Sequence, residues 1–171
     1  MAGNLEFIKS ATGTSVTSLE VTDCFSASYD VYAFAITKVD ATSDGNIDLR
    51  FIDSGGSVIS DAEYDYANLQ LISYGAFSEG RATGSTNIND IMRRDTDTEK
   101  NGGSIHYIFN PYDSSSYTFY QGQSGGAVAS SGLIGTKAIG VHKVAEQITG
   151  FQLYGATFDT LEVKVYGLAS N

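Results

Sequence analysis

One cysteine, one proline and no tryptophan occur in 171 residues. A lone Cys24 cannot close an intrachain disulfide and offers no zinc-finger spacing. Its plainest reading is a small, half-buried side chain. Basic residues are also scarce: ten Lys and Arg stand against twenty Asp and Glu, for a net charge of −10. A nucleic-acid binder needs a basic patch that releases counterions from phosphates. Only Arg93 and Arg94 form a basic pair, and acids surround them, so direct DNA or RNA binding is not expected. No run approaches the roughly 18 apolar residues of a spanning helix, and no membrane partner is expected. The opening MAGNLEFIKSATG lacks a basic stretch followed by an apolar run of about 7–15 residues, so no secretory leader is read there. Synthesis in a cytosol is the expectation. Without Trp, the strongest stacking platform for sugars is missing.

What is present is glycine and aromatic residues: 19 Gly, eleven Tyr and nine Phe. Such a mixture favours strands joined by turns. Alternation supports that reading. Leu19 and Val21 share a face in Ser15–Cys24. Tyr32, Phe34 and Ile36 alternate with Ala33, Ala35 and Thr37, as in a central strand. Ile47, Leu49 and Phe51 alternate with Asp48 and Arg50. Asp44-Gly45 has hairpin-turn chemistry, so these three runs read as consecutive antiparallel strands. Near the C-terminus, Ile148–Gly155 and Leu161–Leu168 flank a short polar turn and read as a hairpin. Ile105, Tyr107 and Phe109 share one side of a strand ended by Pro111, and Ile139 and Val141 point inward from another. Tyr64–Gly75 is read as a strand or irregular segment, Ile88–Gly103 as an exposed strand end plus loop, and Gly122–Gly132 as a glycine-rich loop.

Roughly eight to ten short strands with regular turn signals predict a single all-β domain over residues 1–171. Residues 1–14 form an N-terminal arm or first strand. The expected architecture is an antiparallel two-sheet sandwich of jelly-roll type. Phe34, Ile36, Leu49, Phe51, Phe151, Leu153, Leu161, Val163 and Val165 are the expected core.

Candidate chemistry is thin. GQSGGA places Ser124 in a setting like that of a serine-protease nucleophile. That mechanism needs a base and an acid in order, and only His106 precedes Ser124, by 18 residues. Asp40–Asp48 partly matches a calcium loop but carries Thr42 at the third position and Phe51 at the twelfth. Asp61, Glu63 and Asp65 alternate as a wet strand face would. A glycosidase would need two of these, or Asp95, across a cleft. His106 and His142 sit out of phase with their strands' apolar residues and have no third metal ligand at useful spacing. No catalytic residue, metal or cofactor is therefore expected. Tyr112, Tyr117 and Tyr120 near Pro111, with Arg93 and Arg94, are the candidate partner-interface residues.

Three stretches carry a resemblance: ITGFQLY at Ile148–Tyr154, FDTLEVKVYGL at Phe158–Leu168, and the Asn-Pro plus serine turn at Asn110–Ser116. Together they resemble small virion structural proteins of tailed bacteriophages. LEFIKSATGTSVTSL at Leu5–Leu19 is similar to small marine-phage structural proteins. The likeness covers most of Asn101–Leu168 and departs at Thr160, where glycine is common. It implies a β-sandwich on the virion surface and no catalytic residues. The expected role is capsid decoration, with docking on the major capsid protein lattice, and the expected assembly is a homo-oligomer, a trimer by preference. The alternative is a tail or fibre domain gripping host-surface glycans.

Overall fold

The computed structural model describes residues 4–96, 102–128 and 132–169. Every described element is a strand or a turn, which meets the all-β expectation. The ten strands are β1 (Leu5–Val21), β2 (Val31–Ala41), β3 (Gly45–Asp53), β4 (Tyr64–Ile72), β5 (Ser78–Ser85), β6 (Ile88–Arg94), β7 (Gly103–Phe109), β8 (Thr118–Val128), β9 (Gly132–His142) and β10 (Ile148–Leu168).

The hydrogen-bond ladder joins all ten strands into one antiparallel sheet, in the order β5-β4-β9-β8-β7-β2-β10-β3-β6, with β1 on β10. One continuous ladder stands where two separate sheets are expected. It curls until the β3–β6 ribbon folds over the inner side of β4, β9 and β8, giving a nearly closed barrel.

Its spine is β10. The expected C-terminal hairpin is instead one strand of 21 residues. Along one edge β1 follows it from Leu5↔Leu168 to Val21↔Phe151. Along the other, β2 pairs from Tyr32↔Gly167 to Ala41↔Phe158, and β3 continues from Asp48↔Tyr154 to Asp53↔Ile148. Thus β2 and β3 are collinear, and Asp44-Gly45 is a bend where a hairpin turn was expected. Nor do the first three runs form a meander, because β10 lies between β1 and the β2–β3 line.

The bend has an identifiable cause. Gly155 has φ +119°, and a Cβ there would lie 2.6 Å from the Asn46 carbonyl oxygen, so only glycine lets the strands approach. Arg94 clamps the same corner. Its Nη2 donates to the Gly155 carbonyl at 2.7 Å and its Nη1 to the Ser43 carbonyl. The guanidinium also lies over Phe158, 5.9 Å from the ring centroid.

The expected core residues, from Phe34 to Val165, are all buried. Phe34 and Phe151 stack at 4.6 Å between centroids. Three segments differ from their expected character. Gly122–Val128 belongs to β8 and is no loop; residues 129–131 lie outside the described residues. The β6 strand is buried through Ile88, Ile91 and Met92; the rest of the expected loop, residues 97–101, is outside the description. The β5 strand has no apolar alternation, and sequence reading misses it.

Candidate functional site

On the β7-β8-β9-β4 side the usual polarity of a sheet is reversed. The expected inward positions Ile139 and Val141 face out, as do Ile105, Tyr107 and Phe109. Their alternating partners face in: His106 and Ile108 on β7, Thr118 and Tyr120 on β8, Thr136, Ala138 and His142 on β9, and Asn68 on β4.

Hydrogen bonds satisfy part of the inner layer, although Thr136 Oγ1, His142 Nδ1 and Asp90 Oδ1 are buried without a partner. Asn68 Nδ2 donates to the Asn89 carbonyl at 3.1 Å, and Gln70 Nε2 donates to Asp90 Oδ2. The hydroxyl of Tyr64 donates to the Ile59 carbonyl at 3.1 Å and accepts from the Phe51 amide at 3.0 Å. His106 is fully buried. Its Nδ1 lies 2.8 Å from the Tyr120 hydroxyl and its Nε2 lies 2.7 Å from Ser104 Oγ. Its ring stacks on Phe34 at 4.4 Å. Burial pushes its pKa down to about 3, so the imidazole is neutral. Gly122 completes this packing: a Cβ there would fall 2.1 Å from His106 Nδ1.

The outer layer is therefore apolar and exposed. The register lays it out in rows: Ala67, Ile139, Gln121 and Tyr107; then Leu69, Lys137, Gln123 and Ile105; then Asp65, Val141, Phe119 and Phe109. Ile139 is 61% exposed and Leu133, near the end of the sheet, 67%. Two shallow grooves cross this face, one between Leu69 and Ile105, the other between Arg81 and Phe119. Apolar side chains thus predominate on this face, interleaved with Gln121, Gln123, Lys137 and Asp65, and exposed apolar surface of this extent is characteristic of interaction sites.

The residues singled out from sequence are spread over the chain. Tyr120 is only 2% exposed and Arg94 only 3%. The first is bonded to His106 and the second clamps the corner, so neither offers a surface to a partner, contrary to expectation. Alternation misleads for the tyrosine because its apolar neighbours face out, and for the arginine because a surface is the default for a guanidinium. Tyr112 is half-buried and packs against the core, and Tyr117 is exposed. Arg93 is half-buried, and its Nη1 donates to Asn46 Oδ1.

The weaker motifs resolve likewise. Ser124 lies within β8, and its Oγ accepts from the Thr136 amide at 3.2 Å. With both ring nitrogens engaged and a pKa near 3, His106 is no base for it. Asp44 accepts the Thr96 amide at 3.0 Å and Asp40 pairs with Lys38 at 3.3 Å, so the calcium-loop acids diverge. Asp65 pairs with Lys143 at 2.8 Å, Asp61 is exposed, and Asp95 is buried. Cys24 is buried, and desolvation pushes its thiol up to about 12, far from a reactive thiolate.

No protein-family model matches the chain, and comparison with curated proteins finds no match.

Proposed function

We propose that this chain is a non-enzymatic structural protein of a tailed-phage virion. In this reading it is a decoration or cement protein that docks on the major capsid lattice at the particle surface. The observation that carries the reading is the apolar outer face of β7, β8, β9 and β4. A strand sequence that hides His106, His142 and Thr136 while exposing Ile139, Leu69 and Ile105 fits a face that meets a partner. Covering a large aliphatic or aromatic side chain contributes about 1.5–3 kcal/mol before the cost of association. A handful of such side chains gives weak single contacts, and a repeating lattice multiplies them.

Charge favours a partner of another kind over close stacking of identical copies through this face, because each chain carries −10. Lys137 and Arg81 are the cations at its grooves. The resemblance of Ile148–Leu168 to phage structural proteins supports the virion setting. A homotrimer is the proposed assembly, measurable by light scattering on the purified chain. The glycan alternative draws on Tyr112, Tyr117 and Tyr120, of which Tyr120 is buried and Tyr117 exposed, so the apolar face favours decoration over it.

Quantitative mass spectrometry of purified virions tests the proposal. Hundreds of copies per particle are expected; about a dozen or fewer would exclude general decoration, and none would exclude a virion role.

A further inference from the structure

A second, independent feature lies at one end of the sheet. Glu63 immediately precedes β4, His142 ends β9, and Glu146 stands in the connection to β10. The Tyr64↔His142 register and a 2.8 Å bond from the Lys143 amide to the Glu63 carbonyl hold the first two side by side. His142 Nε2 is 3.0 Å from Glu63 Oε2 and 3.5 Å from Glu146 Oε1. All three ligand atoms lie within 4.8 Å of one another.

The imidazole is completely buried and faces Tyr64 at 5.1 Å and the edge of Phe51 at 6.3 Å. Its ring is fixed, with Nε2 aimed at the carboxylates. Its Nδ1 is buried with no hydrogen-bond partner. The two carboxylates are about one-third exposed, so the group opens to solvent on one side. No lysine or arginine among the described residues forms a salt bridge with Glu63 or Glu146. The adjacent Lys143 is drawn to Asp65 instead. Two acids thus converge on a single imidazole with no fixed positive charge between them.

We infer that Glu63, His142 and Glu146 form a site for a divalent transition metal of the zinc class. Zinc takes nitrogen at about 2.0–2.1 Å and carboxylate oxygen at similar length, which sets tetrahedral ligand atoms about 3.3 Å apart. The two nitrogen–oxygen separations, 3.0 and 3.5 Å, bracket that edge, and the two carboxylate oxygens, within 4.8 Å of each other, would have to close on a bound ion. Three protein ligands leave the fourth position to water. The histidine distinguishes the site from an all-oxygen calcium or magnesium cage. A bound ion would clip the approach to β4, the end of β9 and the β9–β10 connection together, whether or not the chain docks on a capsid.

Titration of the full chain with ZnCl₂, followed by calorimetry and by the NMR signals of its two histidines, tests the site. One equivalent is expected to bind, to shift the His142 ring signals and to leave those of buried His106 in place. Because His142→Ala removes a buried ring and can unfold the chain, the informative variants are Glu146→Gln and Glu63→Gln. Each is expected to weaken zinc by at least about tenfold, since even outer-shell losses reach that size. Absence of saturable binding, affinity unchanged in both variants, or binding that leaves the His142 signals unmoved would overturn the assignment.

Discussion

Acid should weaken this fold through His106 in a way that can be isolated. The ring is wholly buried, stacked on Phe34 and bonded to Tyr120 and Ser104, and its pKa is held near 3 against an ordinary 6.5. In the unfolded chain the same ring protonates as pH falls through the ordinary value. Between the two values the unfolded state binds the extra proton, so stability falls with falling pH. From about pH 7 to about pH 4 the loss from this residue is about 3 kcal/mol, at about 1.36 kcal/mol per unit. Asp48 and Asp90, whose carboxyls are raised by burial, act in the opposite sense, so total stability is not the right quantity. The difference between the native chain and His106→Gln is. Urea denaturation at both pH values should give a variant that is weaker near neutrality, with the gap narrowing by about 3 kcal/mol on acidification. A gap constant to within about 0.5 kcal/mol would show that burial does not hold this imidazole neutral.

Other substitutions test separate parts of the fold. Arg94→Ala removes the donors to Ser43 and Gly155 and should cost about 3 kcal/mol in urea melts, because two corner carbonyls lose their partner. Gly122→Ala forces a Cβ to 2.1 Å from His106 Nδ1 and should destabilise by about 2 kcal/mol or more, read as a lowered thermal midpoint. Val163→Asp places an unpaired charge where exposure is 0% and should abolish folding; a soluble variant melting like the native chain would contradict the assigned core. Ile139→Glu and Leu133→Glu alter exposed positions, so circular dichroism melts should move by no more than about 0.5 kcal/mol while particle binding is lost.

Alternation located the strands well wherever both faces obey the ordinary rule. Phe34, Ile36, Leu49, Phe51, Leu161 and Val163 are buried as their spacing implies. The connection between strands was harder to see. Asp44-Gly45 and the residues near Gly155 have turn composition, yet the chain only bends there. Long-range pairing along β10, with β1 on one edge and with β2 and β3 on the other, accompanies both bends, and no local window contains it. Polarity misled in β7 and β9. Ile139 and Val141 read as inward because hydrophobic residues usually are, but the inner positions opposite β6 are filled by small or polar side chains. The signal available was the complementary alternation of Thr136, Ala138, Gly140 and His142, whose small members admit Ile88: a Cβ at Gly140 would meet Ile88 Cδ1 at 2.7 Å. The Glu63, His142 and Glu146 cluster was missed for a similar reason. His142 and Glu146 are four residues apart, but Glu63 lies 79 residues away from His142, and only the β4–β9 register brings it to them.

Density for this chain in the intact particle tests the docking face most directly. The account predicts Leu69, Ile105 and Ile139 pressed against the capsid protein, in many copies over the lattice. A chain attached through another surface, with those three side chains open to solvent, would contradict it.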